Sequence, residues 1–197
     1  MPEYTEDYFS KRIPAWETLL FGSLGWDPKA RRTAVEIGSF EGRSAVWMVE
    51  NLLQHPESEL HCIDHWPGVW GEERFRLFSA NICELDGRAK VKVMRHRSED
   101  ALMALRARKA AVDFVYIDGS HAAADVLSDL VLSFRITQVG GVLLCDDYLW
   151  QGPKGAEGDI TDRPKLAIDA FTNCYADKIR ILHGMPLYQI AFQKTAL

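Results

Sequence analysis

Short apolar runs that end in glycine or aspartate alternate along this chain with longer stretches in which apolar residues recur every three or four positions. The runs "TAVEIG" (33–38), "ELHCID" (59–64), "KVKVM" (90–94), "VDFVYID" (112–118) and "GVLLCDD" (141–147) read as strands. The stretches "EGRSAVWMVENLLQ" (41–54), "EERFRLFSANICELDG" (72–87), "SEDALMALRARK" (98–109) and "AAADVLSDLVLSFRITQVG" (122–140) read as helices. Such alternation predicts a parallel sheet covered by helices. Farther on, "RPKLAIDAFTNCYAD" (163–177) reads as a helix, and "KIRILH" (178–183) and "LYQIAFQK" (187–194) as strands. The short link through Gly184, Met185 and Pro186 makes these two antiparallel neighbours. The expected architecture is one α/β domain over residues 1–197: a seven-stranded sheet, parallel except for one antiparallel strand near its end, with helices on both faces.

Local signals refine the boundaries. Ser98 is placed to cap the helix that starts there, with Glu99 and Asp100 in its first turn, and Gly140 and Gly141 are placed to end the long fourth helix. The stretch "LWQGPKGAEGDITDRP" (149–164) has no periodicity and reads as a lid or substrate loop. Residues 1–30, with Tyr4, Tyr8, Phe9, Trp16 and Phe21, read as an amphipathic helical arm. The arm packs on its own domain, covers a substrate pocket or serves a homodimer.

Composition narrows the class. With 47% hydrophobic and 26% charged residues the chain is globular, and its net charge of -5 argues against sequence-independent nucleic-acid binding. Arg106, Arg108 and Lys109 cluster where a helix ends and complement its dipole. No run is long enough to span a membrane, and "MPEYTEDYFSKRIPAW" lacks the layout of a signal peptide, so a cytoplasmic protein is expected. Cys62, Cys83, Cys145 and Cys174 are widely spaced and read as free thiols.

Candidate chemistry sits at the strand ends, where parallel sheets bind ligands. In "VEIGSFEGRS" Gly38 allows a sharp turn, Gly42 allows close packing at a helix start, and Ser39 and Ser44 stand beside that helix N-terminus. Phe40 occupies the position where a dinucleotide fingerprint has its middle glycine, which disfavours pyrophosphate. Glu36 suits a cationic ligand, and Asp64 either accepts the hydroxyls of a ribose or caps the loop after it. These features together favour a nucleoside that carries an amine and no pyrophosphate. Asp118 ends one strand and Asp146 and Asp147 the next, a hard-oxygen set suited to Mg²⁺. His121, three residues after Asp118, can point to the same edge and move a proton. His65, Trp66 and Trp70 in "DHWPGVW" either shield the ligand or pack on the core.

"VEIGSFEGRSAVWM" resembles the first motif of class I S-adenosylmethionine-dependent methyltransferases, particularly the catechol O-methyltransferase type. "DGSH" with "GGVLLCDDY" resembles bacterial sugar-tailoring relatives, including macrolide-sugar O-methyltransferases. The resemblance implies a Rossmann-like fold and O-methyl transfer from S-adenosylmethionine to a hydroxyl of a small molecule, a sugar or glycosylated natural product. It implies that Glu36 helps hold the methionine amine, directly or through water, and that Ser44 and the turn amides of Gly38, Ser39, Phe40 and Gly42 hold the carboxylate. Asp64 would hold the ribose, Ser98 would lie near the adenine, and His65 and Asp118 would border the cofactor. Asp118, Asp146 and Asp147 would bind the metal, and His121 or an aspartate such as Asp118 would be the base. Two other readings stay open: a NAD-dependent oxidoreductase or epimerase, and a non-catalytic S-adenosylmethionine-binding regulatory module.

Overall fold

Seven strands form one sheet in the computed structural model, which describes residues 2–87, 90–152 and 155–197. They are β1 (Thr33–Ile37), β2 (Glu59–Ile63), β3 (Val91–Met94), β4 (Val112–Ile117), β5 (Thr137–Cys145), β6 (Ile179–Leu182) and β7 (Ile190–Lys194). Their order across the sheet is β3-β2-β1-β4-β5-β7-β6. All pairs are parallel except those of β7, which runs antiparallel between β5 and β6. The Rossmann-like expectation and its one reversed strand are therefore observed. The chain steps from β1 outward to β3 and then returns to lay β4 against the free side of β1. Between β1 and β4 the sheet has its switch point, where the strand ends splay and leave a crevice.

Period-two alternation divides the core into two layers. Ala34 of β1, Leu60 of β2, Phe114 and Tyr116 of β4 and Leu144 of β5 pack against α1 (Ile13–Glu17), α2 (Arg43–Trp47) and α3 (Gly71–Cys83). Val35, Ile37, Ile63, Val115, Ile117 and Leu143 face α4 (Ser98–Ala107), α5 (Ala123–Ile136) and α6 (Pro164–Cys174). Helices α1 and α2 each continue into a wider π-helical segment, Thr18–Ser23 and Met48–Leu52.

The N-terminal arm packs on its own domain. Trp16 is fully buried, with the rings of Phe9, Trp47, Phe114 and Tyr116 meeting it edge-on at 4.7–5.6 Å. Its indole N–H donates to Gln189 Oε1 at 3.1 Å, which satisfies the one polar atom this burial would otherwise strand. Trp47 and Trp66 belong to the same layer, whereas Trp70 is exposed.

Some boundaries differ from those the sequence predicts. α5 ends at Ile136, and β5 begins at once with Thr137, whose ψ of 132° is already extended. Gly140, at φ +90°, accordingly lies inside the strand rather than at a helix end, beside a register irregularity opposite Val112–Phe114. α3 stops at Cys83, short of the expected residue 87. Ser98 makes no cap hydrogen bond and is the first residue of α4, after Arg97. Pro153 and Lys154 of the 149–164 loop lie outside the described residues; the rest of it holds two 3-10 turns, Gly155–Glu157 and Ile160–Asp162. Cys62 and Cys145 are buried free thiols, and Cys83 and Cys174 are exposed.

Candidate active site

The turn after β1 is built by close approach. Gly38 has φ +85°, and a Cβ there would sit 2.1 Å from the Asp118 carbonyl oxygen. Only glycine lets the β1 turn lie flat against the end of β4. Gly42, also at φ +85°, precedes α2, and its missing Cβ makes room for the Phe78 ring. Phe40 holds a left-handed backbone at φ 47° without being glycine. Its N–H donates to Asp64 Oδ2 at 3.0 Å, and its carbonyl accepts the Trp66 indole N–H at 2.7 Å. Asp64 Oδ1 accepts the Trp66 N–H at 2.7 Å. Asp64 thus ties the first turn to the second, as the loop-capping alternative anticipated, while still bordering the cavity.

That cavity, of about 840 Å³, opens over the switch point. Gly38, Ser39, Phe40, Ser44, Asp64 and His65 line one part of it. Ser98, Asp118, His121, Asp146 and Asp147 line the rest. Two expected residues do not reach the wall. Gly42 acts only through the backbone, and Glu36 lies behind Ser44, fully buried, with Oε1 accepting the Ser44 hydroxyl at 2.5 Å. Alternation explains this: Glu36 shares the face of Ala34, towards α2, and Ser44 comes between it and the opening.

Burial pushes the Glu36 carboxyl up to about 7, with the Ser44 hydroxyl offsetting part of the rise. A carboxyl whose pKa rises on folding weakens the fold as it ionises. The loss is absent below its ordinary value of 4.5, grows from there to about 7, and is constant above. Between pH 4 and 8 the native chain is therefore expected to lose about 3 kcal/mol that Glu36→Gln retains. Urea denaturation of both proteins at these two pH values checks this, and parallel pH profiles would contradict it.

The three aspartates reach one sheet edge because the ladder continues past the strands: Asp118 N–H donates to the Ile37 carbonyl at 2.8 Å and Asp146 N–H to that of Ile117 at 3.0 Å. All three line the cavity, and Asp118 and Asp146 meet at the Tyr116 hydroxyl. Asp118 follows Tyr116, and Asp146 follows Leu144, on the face towards the arm. Asp147 turns away through a left-handed backbone at φ 57° and binds His121, its Oδ2 lying 2.7 Å from Nε2. The imidazole also stacks on Trp150, with ring centroids 4.1 Å apart.

Each oxygen of Asp146 is doubly engaged. Oδ1 accepts from Arg12 Nη2 at 3.1 Å and from the Asp147 N–H at 2.8 Å. Oδ2 accepts from Gln189 Nε2 at 2.7 Å and lies 2.8 Å from the Tyr116 hydroxyl, which is also 2.8 Å from Asp118 Oδ2. Burial, then the Asp146 and Asp147 charges, hold the Asp118 carboxyl well above the usual range. The Tyr116 hydroxyl is the donor that stands between the two acids, within reach of both Asp118 Oδ2 and Asp146 Oδ2.

The expected metal set of Asp118, Asp146 and Asp147 lines one cavity, with the Tyr116 hydroxyl between Asp118 and Asp146. A carboxylate has about four lone-pair sites, and those of Asp146 are taken by protein donors. Among the described residues no three His, Cys, Asp or Glu side chains are arranged to hold a metal ion.

Other lining residues come from outside the strand–helix units. Arg12 and Tyr8 come from the arm and Trp150 from the loop after β5. Asp129 does carry a local sequence signal, as a lone acid on the buried stripe of α5 between Val126 and Leu130. Burial raises its carboxyl to about 6, against the lowering effect of the Ser98 hydroxyl.

A family model described as a methyltransferase domain matches residues 35–148. An uncharacterized protein of Acanthamoeba polyphaga mimivirus is 28% identical over 117 residues, covering 59% of this chain and 51% of that protein. The chain thus spans about half the length of that curated relative. The O-methyltransferase TomG of Streptomyces achromogenes, solved with S-adenosylmethionine, superposes with a TM-score of 0.69 at 18% identity, over 100% of this chain and 84% of that one. An O-methyltransferase of Bacillus cereus in complex with S-adenosylhomocysteine gives 0.70 at 18% identity, over 97% and 84%. The mycinamycin-pathway methyltransferase MycE, solved with Mg, S-adenosylhomocysteine and mycinamycin VI, gives 0.63 at 13% identity, over 96% and 50%. With the glycine turn and the strand-end acids inside the matched segment, the chain belongs to the methyltransferase-domain family and has the Rossmann-like fold of the class I S-adenosylmethionine-dependent methyltransferases.

Proposed function

We propose that this protein transfers the methyl group of S-adenosylmethionine to a hydroxyl of a small molecule, of the sugar or glycosylated natural-product class. The observation that carries this reading is His121. It is held by Asp147 and stacked on Trp150, and it borders the same cavity as the Gly38–Ser39 turn. The cofactor would lie between the Gly38 turn and Asp64 on one side and Ser98 on the other, with its ammonium reaching Glu36 through Ser44 or a water.

The chemistry asks little beyond alignment and a base. The acceptor oxygen forms a bond to the methyl carbon as the carbon–sulfur bond breaks, and the sulfonium becomes a neutral thioether. The proton of the hydroxyl goes to His121. With Nε2–H donated to Asp147, the Nδ1 lone pair is the basic one, and the carboxylate stabilises the imidazolium that forms. Trp150 fixes the ring plane, and holding oxygen, carbon and sulfur in line supplies the rest. Asp118, hydrogen-bonded to Tyr116, serves to shape the cavity floor rather than to take the proton. A magnesium requirement, the remaining expectation from the resemblance, would draw on Asp118, Asp146 and Asp147, and no step here runs through a metal.

A thermal melt tests the cofactor assignment. S-adenosylmethionine at a hundred times its dissociation constant is expected to add about 2.7 kcal/mol, a rise of roughly 5–10 °C for a chain of this size. NAD at the same concentration is expected to add nothing. A response to NAD alone would replace this reading with that of an oxidoreductase.

A further inference from the structure

We propose that the cation serving the acid cluster is built into the chain: the Arg12 guanidinium takes the place of a divalent metal, and the site operates without one. The inference rests on the methyltransferase reading above and extends it. Three carboxylates at one sheet edge repel one another and require positive charge nearby. Arg12 supplies it from the arm, 134 residues away in sequence, with Nη2 on Asp146 Oδ1 at 3.1 Å. Its side chain is 13% exposed and that of Asp146 7%, so solvent screens the pair little. Arg12 also lines the cavity, so its charge stands beside the space a ligand would fill.

The surroundings fit a permanent cation better than an exchangeable one. Gln189 and Tyr116 complete the donors on Asp146, and Trp16, which fixes Gln189 through its indole N–H, is also part of the arm that delivers Arg12. His121 claims Asp147 from the other side. A hard cation needs open carboxylate oxygens and room for its waters. Here both oxygens of Asp146 are engaged, by Arg12 and the Asp147 N–H on one side and by Gln189 and Tyr116 on the other.

The test uses the full chain, stripped of metal, with Mn²⁺ as the probe and paramagnetic resonance of free Mn²⁺ as the readout. Binding of S-adenosylhomocysteine to the native protein is measured alongside by calorimetry. The native protein is expected to bind S-adenosylhomocysteine and to leave Mn²⁺ free. Arg12→Gln is expected to tighten Mn²⁺ binding by roughly ten-fold or more, and adding Asp146→Asn to remove that gain. Arg12→Lys, which keeps the charge, is expected to exclude Mn²⁺ as the native chain does. Mn²⁺ binding by the native protein that Asp146→Asn abolishes would overturn the proposal, and so would an Arg12→Gln protein with no gain. If Arg12→Gln does not fold, the native and Arg12→Lys proteins still decide it, because Mn²⁺ binding by either contradicts the proposal. Failure of S-adenosylhomocysteine to bind would instead remove the methyltransferase reading beneath it.

Discussion

Replacing His121 with alanine is expected to lower methyl transfer by about 10²–10⁴-fold, the usual contribution of a positioned general base. The loss should fall on turnover, with binding of S-adenosylhomocysteine much less affected, because the imidazole is held by Asp147 and Trp150 and not by the glycine turn. Asp147→Asn makes a second, graded case. The amide oxygen still accepts the Nε2–H, so the ring stays oriented, but the charge that stabilises the imidazolium is gone, and a loss smaller than that of His121→Ala is expected. The measurement is the pH–rate profile of each variant under saturating cofactor. An alanine variant that keeps full turnover with an unchanged profile would move the base elsewhere, with Asp118 next in line.

Trp16→Ala is expected to destabilise the fold by about 3–5 kcal/mol, the range for emptying a large aromatic from a packed core. For a chain of this length that is a fall of roughly 10 °C in Tm. The ring is fully buried among four aromatic neighbours, so the cavity left behind has little chance to close. The deletion also strands Gln189 Oε1, whose amide otherwise bridges Trp16 to Asp146. Trp16→Phe keeps most of the volume and loses only the hydrogen bond, so a smaller fall is expected. Chemical denaturation of both variants checks the pair. A loss under 1 kcal/mol for the alanine form would mean that the arm does not pack as described.

The sequence was most legible where local pattern and global position agree. β1, β2 and β4 are short, largely apolar runs that lead into Gly38, Asp64 and Asp118, so pattern alone placed both the strands and the acids at their ends. The start of β5 was hidden because Thr137, Gln138 and Val139 extend the apolar rhythm of α5, and Gly140–Gly141 imitates a helix stop. No loop separates the two elements; the chain simply becomes extended at Thr137. Within the site, residue type and spacing located Asp118, His121, Asp146 and Asp147 but not their partners. Arg12 is far from Asp146 in sequence, and Gln189 is 43 residues from it, so only the packing of the arm and of β7 decides who neutralises that acid. Residue type and spacing do not tell Asp146 from Asp147. Backbone geometry separates them, sending Asp146 towards Arg12 and Asp147 towards His121.

Because Asp146 is satisfied from the arm on one side and from the start of β7 on the other, the reactive edge is a late product of folding. Strands β1, β4 and β5 can pair through contacts of moderate separation, but until both distant segments dock, a carboxylate stands at the end of β5 without its cation or its amide. Such a state is penalised in proportion to how dry the edge has become, so the docking of arm and β7 is mutually reinforcing. Partial opening at either segment exposes the same acid, which joins the two ends of the fold into a single cooperative unit instead of two independently fraying ones.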